Sequence, residues 1–225
     1  MASTILAIYN QAISAIHGRG RLSSLTDNTR EREECDIWYE QVRDTVQEAA
    51  HWDTCRNTER LTLLATRTTT ANWAAGDPAP QYLYRYALPT HYLRAWNLSD
   101  FAYFTISYDE TRNRNVLDTN SYNAVLIYGR RQENPALWSA GMVRATVHGL
   151  AGAIAGGLTG KTQLTQLQYQ LANQALYDAQ AANSNSTMQL ETIPPALQAR
   201  GYSEAQETRY YYPYGEVFSA GVANV

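Results

Sequence analysis

Lysine is almost missing from this chain: Lys161 is the only one, and arginine supplies the other seventeen positive charges. Against 21 acidic residues the formal net charge is −3, with a pI near 5.8. That balance argues against a general nucleic-acid binder, which shows a basic patch or stripe. Two cysteines, Cys35 and Cys55, are too few for a disulfide scaffold and lack metal-ligand spacing. Both read as reduced, buried, small apolar residues. No basic region precedes the apolar stretch Met1 to Ile8 and no cleavage-site pattern follows it, so no signal peptide is expected. The apolar run Ala145 to Leu158 is too short for a membrane span and contains His148. A soluble protein made in the cytoplasm is expected, and the glycosylation-like triplets at Asn97 and Asn185 then carry no weight.

The largest gap is one of charge. From Pro135 to Asn183 only Arg144, Lys161 and Asp178 are charged, in a stretch rich in Ala, Gly, Gln and Leu. Surfaces this poor in charge are usually buried against something. A chain of 225 residues cannot bury all of it internally beside its other aromatic segments, so other copies are the expected cover. Seventeen Tyr and five Trp, together with the arginines, make the composition of a contact surface. A Tyr-rich core does not account for the clustered Tyr210, Tyr211, Tyr212 and Tyr214.

Along the chain, Ile5, Ile8, Tyr9, Ala12, Ile13 and Ile16 recur at helical spacing, and Gly18 stands where a C-terminal cap belongs. Asn28 with Glu31 predicts the start of a second helix. Cys35, Trp38, Tyr39, Val42, Val46 and Ala49 give it an apolar face, and it should end near Trp52. Its carboxylates, Asp36, Glu40 and Asp44 among them, read as a solvated face. The period then changes to that of strands at 61–66, 82–86, 101–108 and 124–128, with 109–123 as a hairpin loop. Pro135 is placed in the first turn of a helix. Leu137, Ala140, Val143, Val147, Leu150 and Ile154 form that helix's stripe; Leu164, Leu167, Leu171, Ala175, Leu176 and Ala179 form that of the next. Gly156 to Gly160 joins the two as an antiparallel hairpin. Small residues at Ala145, Gly149 and Gly152 allow close approach of a neighbouring helix, within the subunit or between subunits.

The fold expected from this pattern is mainly α (α+β): an antiparallel helical bundle with a small inserted β-sheet domain and an extended C-terminal arm. The boundaries are 1–58 for the N-terminal helices, 59–130 for the β-rich insertion, 131–183 for the C-terminal helix hairpin and 184–225 for the arm. The arm has Pro194, Pro195 and Pro213 and little periodicity. Such a segment acquires order by laying aromatic anchors into a partner's grooves.

One segment has the look of chemistry. Ala155 to Thr162 fits a relaxed phosphate-binding loop, with Gly160-Lys161-Thr162 at its end. Such a loop needs a buried strand before it, and the run upstream has helical periodicity. A glycine-rich turn with Thr162 capping the next helix is the plainer alternative. His17, His51, His91 and His148 are scattered, and no serine sits in a nucleophile elbow. No catalytic residue, cofactor site or metal site is assigned.

Several blocks resemble one known family. Asn10-Gln11-Ala12-Ile13 with Ile16 and Gly18, Ile37-Trp38-Tyr39 with Val42-Arg43-Asp44, and Trp52 are similar to the N-terminal helices of the head-to-tail adaptors of short-tailed bacteriophages. Tyr84-Arg85-Tyr86-Ala87-Leu88-Pro89 with Leu93-Arg94 resembles the family's strand-turn signature. Leu137, Leu150-Ala151, Leu158-Thr159-Gly160, Tyr177 and Asp178-Ala179-Gln180 resemble its C-terminal hairpin. The blocks follow the family's order over about residues 3 to 182. Asp53-Thr54 stands where the family often has an aromatic residue and Ala. The resemblance implies a structural virion protein without enzymatic activity, assembled in the host cytoplasm. Its place is the head-to-tail junction, in a ring of identical subunits, twelve in the family, that joins the portal protein to the tail nozzle protein. Double-stranded DNA would pass through without specific binding, and no membrane is involved. Tyr210, Tyr211, Tyr212, Tyr214 and Phe218 would contact the portal or a neighbouring subunit. The alternative classes are a non-viral homo-oligomeric interaction module and a nucleotide-binding protein using the Gly160-Lys161-Thr162 loop.

Overall fold

The computed structural model describes residues 3–17, 21–67 and 76–186. Helix α1 spans Ile5–His17 and helix α2 Arg30–Glu48. Thr29, not Asn28, caps α2: its backbone is extended and its side chain accepts from the Arg32 N–H. Seven strands follow: β1 (Arg56–Arg60), β2 (Thr62–Thr66), β3 (Tyr84–Ala87), β4 (Tyr92–Leu98), β5 (Phe104–Asp109), β6 (Arg114–Thr119) and β7 (Val125–Arg130). Helices α3 (Ala140–Thr159) and α4 (Thr162–Ser186) complete the described fold.

The strands form two antiparallel sheets, ordered β1-β7-β4 and β2-β3-β6-β5. Leu98, Leu126 and Tyr128 of the first and Tyr86 and Leu117 of the second bury their side chains in one shared cluster. A separate cluster holds the helices together, with Ile8, Ala12 and Ile13 of α1, Cys35 and Tyr39 of α2, and Met142, Val147, Leu150 and Ile154 of α3. Trp52 is fully buried there and donates its indole N–H to the Val46 carbonyl at 2.8 Å. That bond ties the exit of α2 to its own last turn. The β-region is thus more than a small insertion in a mainly α bundle. With 47% helix and 23% strand among the described residues, and two sheets around their own core, the fold is α+β, and the expectation of a mainly α protein is corrected.

The difference lies in three strands that do not alternate. β1, Arg-Asn-Thr-Glu-Arg, is an edge strand whose residues are nearly all exposed, so it has no apolar face to read. β4 carries two register shifts against β7, which break its period. β6 buries four consecutive residues, Val116 to Thr119, and lies inside the stretch expected to be a loop. Pro135 opens a short 3-10 turn instead of the long helix, and Ser139 caps α3 four residues later by accepting from the Met142 N–H. Leu137 is consequently exposed and off the stripe. The strand expected from Phe101 begins at Phe104, because Phe101 takes a left-handed φ of 55°. At the other end, α4 continues to Ser186, through the point where the extended arm was expected to begin.

Candidate functional site

The helix hairpin is built on small residues. A methyl group at Gly149 would lie 2.9 Å from Cγ1 of Val42 on α2, and one at Gly152 would lie 3.0 Å from the Tyr169 ring on α4. At Gly141 it would lie 2.4 Å from Cβ of Ala179. Ala145 is buried in a cluster with Val46 and Ala175. The structure therefore places Ala145, Gly149 and Gly152 against helices of the same chain. Tyr210, Tyr211, Tyr212, Tyr214 and Phe218 lie outside the described residues.

Gly160 caps α3 with a left-handed φ of 66°, its N–H donating to the Gly156 carbonyl at 3.1 Å. Two residues later α4 begins, and the Lys161 carbonyl accepts from the N–H groups of Leu164 and Thr165. The segment that fits a phosphate-binding loop is entered from a helix, where phosphate-binding loops are entered from a strand. Among the described residues no group of three or more His, Cys, Asp and Glu is placed to hold a metal ion. His51 stacks on Trp96 at 4.6 Å, and burial followed by the nearby Arg94 charge lowers its pKa. His148 Nδ1 is 2.9 Å from Oε1 of Gln168. Cys35 and Cys55 are free and buried, and burial pushes their thiols up to about 12 and about 11.

Two polar sites escape a reading of the sequence. Inside the second sheet, Arg85 meets Asp118 through two bonds of 2.8 and 2.9 Å, with both side chains buried. Asp109, also buried, accepts from Arg112 at 2.7 Å and lies 3.4 Å from Arg85. Burial opposes ionisation of Asp109, but the Arg112 bonds and the two guanidinium charges outweigh it and hold the carboxyl below its usual range. Arg85 and Asp118 stand directly opposite each other in the β3–β6 register, so this network staples the middle of the sheet. Arg85 was legible only as the polar member of an alternating strand, and Asp118 not at all.

The second site is a shallow cleft of about 480 Å³ between α1, α2 and the 133 region. Ile5, Leu25, Tyr9 and Tyr39 wall it, and Asp36, Glu40, Glu133 and Arg43 supply its charge. The Tyr9 hydroxyl donates to Asp36 at 2.9 Å, and Arg43 is paired with Asp44 at 2.8 Å. Burial pushes the Tyr39 phenol up to about 12, and among the described residues its hydroxyl has no hydrogen-bond partner.

The outer surface divides by charge. Helix α2 carries seven carboxylates against three arginines, and Ile37 and Trp38 stand among them with 66% and 36% of their surface exposed. The stretch 56–131 carries nine arginines against six carboxylates. In β1 the register puts Arg56, Thr58 and Arg60 on the face shared with Gly129, Ile127 and Val125, away from the core residues Leu126 and Tyr128. Helix α4 is different again. Leu167, Leu171 and Tyr177 are exposed on it, surrounded by glutamines, and its one acid, Asp178, pairs with Arg144 at 3.2 Å. No helix among the described residues is long and apolar enough to cross a membrane. Neither a family model nor a curated protein sequence matches the chain.

Proposed function

We propose that this chain is a subunit of a head-to-tail adaptor ring of a short-tailed bacteriophage, joining the portal protein to the tail nozzle protein and forming part of the DNA conduit. The observation that carries the proposal is the outer face of α4. A helix of 25 residues exposing Leu167, Leu171 and Tyr177 with almost no charge is a surface built for contact. Of the blocks that resemble the adaptor family, Asn10 to Ile16 fall on α1, Ile37 to Asp44 on α2, Tyr84 to Arg94 on the β3–β4 segment and Leu150 to Gln180 on the α3–α4 hairpin, in that order. A ring subunit presents two different side faces, so its interface is heterologous and closes by rotation. A net charge of −3 suits a conduit through which double-stranded DNA slides without being gripped. In this proposal the protein acts in the virion, at the head-to-tail junction, and has no catalytic turnover.

The test is negative-stain imaging of the purified protein alone and mixed with portal particles. A ring of about twelve subunits seated on the portal is the expected result. Self-association without any affinity for portal would favour a non-viral homo-oligomeric module. A protein that stays monomeric under both conditions would refute the adaptor assignment. A chain ending at Ser186 tests whether the tyrosine-rich residues beyond it dock on the portal: it should fold, and its portal affinity should fall.

A further inference from the structure

We infer that the acidic outer face of α2 docks on the arginine-bearing outer face of the β1-β7-β4 sheet of a second copy of this chain. The inference rests on the ring-subunit proposal and names the two surfaces that meet in it. On α2, Glu33, Ile37 and Glu40 recur at the spacing of one helical face, with Trp38 beside them. An exposed Ile–Trp pair inside a ring of carboxylates has the make-up of an interface anchor with a charged rim. Among the described residues Glu33 and Glu40 make no ion pair, whereas Asp36 and Asp44 are engaged by Arg32, Arg43 and Arg131.

The sheet offers the complement. Among the described residues β1 is an edge strand pairing with β7 alone, and its Arg56 and Arg60 lie on the face away from the core, beside half-buried Ile127 and Val125. Arginines flanking an apolar strip match carboxylates flanking Ile37 and Trp38 in both charge and hydrophobicity. Both surfaces are on every copy, and they are different surfaces, so each subunit offers one to a neighbour on either side. The acidic excess of α2, seven acids to three arginines, and the exposed Arg56 and Arg60 of β1 are complementary charges present on every copy, which points to another copy as the partner.

Charge reversal with mixing tests this. The full chain is prepared as wild type, as Glu33→Arg with Glu40→Arg, as Arg56→Glu with Arg60→Glu, and as all four substitutions together. Circular dichroism checks folding, and Glu33→Gln with Glu40→Gln replaces the reversed pair if that pair does not fold. Assembly is read by native mass spectrometry and light scattering, with and without portal. Each reversed pair should weaken self-association about a hundredfold, because like charges then meet across the contact. An equimolar mixture of the two reversed chains should reassemble, as should the chain with all four changes. The wild-type assembly should weaken as salt is raised. Reversed chains that assemble like wild type, or a mixture that stays monomeric, would overturn the interface while leaving the adaptor proposal standing. A wild-type chain that forms no assembly with or without portal would overturn both.

Discussion

Replacing Gly141 by Ala adds one methyl group at the tightest point between α3 and α4. Its Cβ would lie 2.4 Å from Cβ of Ala179 and 3.1 Å from Cα of the same residue. Carbon atoms pack best at roughly 3.5–4.0 Å, so the two helices must part by about 1 Å. Neither atom can swing aside, since one belongs to the backbone and the other is fixed to it. Ala179 is buried against the helical core, so the displacement opens the packing around it. Overpacking of this kind costs about 1–3 kcal/mol. The gain from Ala over Gly, about 1 kcal/mol in a helix interior, is smaller in the first turn, where Gly141 sits. The net expectation is about 2 kcal/mol of destabilisation, a fall in Tm of roughly 4–8 °C for a chain of this size. Gly156→Ala is the matched control. There the nearest atom, Oγ1 of Thr165, is 3.8 Å away, and Tm should rise by about 1–4 °C. Both are measured by thermal unfolding at one protein concentration, because any self-association makes Tm depend on it. A Gly141→Ala protein that melts at or above the wild-type temperature would refute the reasoning.

Asp118→Asn leaves the buried Arg85 guanidinium with only the longer Asp109 contact and should cost about 3 kcal/mol in denaturant titration, while Arg85→Met with Asp118→Leu recovers much of that loss. Asp109 has a folded pKa below its unfolded value, so its contribution is present above about pH 4 and disappears as pH falls through the folded pKa. In Asp109→Asn the loss of stability with acid should be shallower than in wild type; equal slopes in urea titrations at successive pH values would contradict this. Cys35 and Cys55 should be inert to a thiol reagent at pH 8 in the native protein and both react once it is unfolded.

The helices were legible because each buries one face. Ile8, Ala12 and Ile13 of α1 and Leu150 and Ile154 of α3 keep the helical period, and all are fully buried. The hairpin turn was legible because Gly160 is needed for a left-handed cap. The β-region was read only in part. β3 repeats an aromatic residue at every second position, Tyr84 and Tyr86, whereas β1 has no apolar face, β4 is bulged and β6 is buried on both sides. The Asp118 side of β6 is covered by Arg85 and by the Ala79 N–H, polar partners that a search for hydrophobic residues does not find. The helix caps were misread by one residue at Thr29 and by several at Pro135, since an Asx- or Pro-led turn can precede a helix without starting it. The small residues of α3 announced close packing, but which helix they meet is a matter of topology: Val42 lies more than a hundred positions from Gly149 in sequence.

The helical core is assembled from the two ends of the described chain, and this sets an order of events at the ribosome. α1 and α2 emerge with Ile8, Ile13 and Cys35 bare, and the residues that cover them, on α3, follow some ninety positions after α2 ends. At about 5–20 residues per second the N-terminal helices wait roughly 5–20 s for their cover. Both sheets can be complete before α3 arrives, because every strand lies between α2 and α3. The α3–α4 hairpin is the opposite case, a local pairing that closes as soon as it leaves the exit tunnel. Among the described residues, the contact of Gly149 with Val42 is therefore a place where early and late parts of the chain meet.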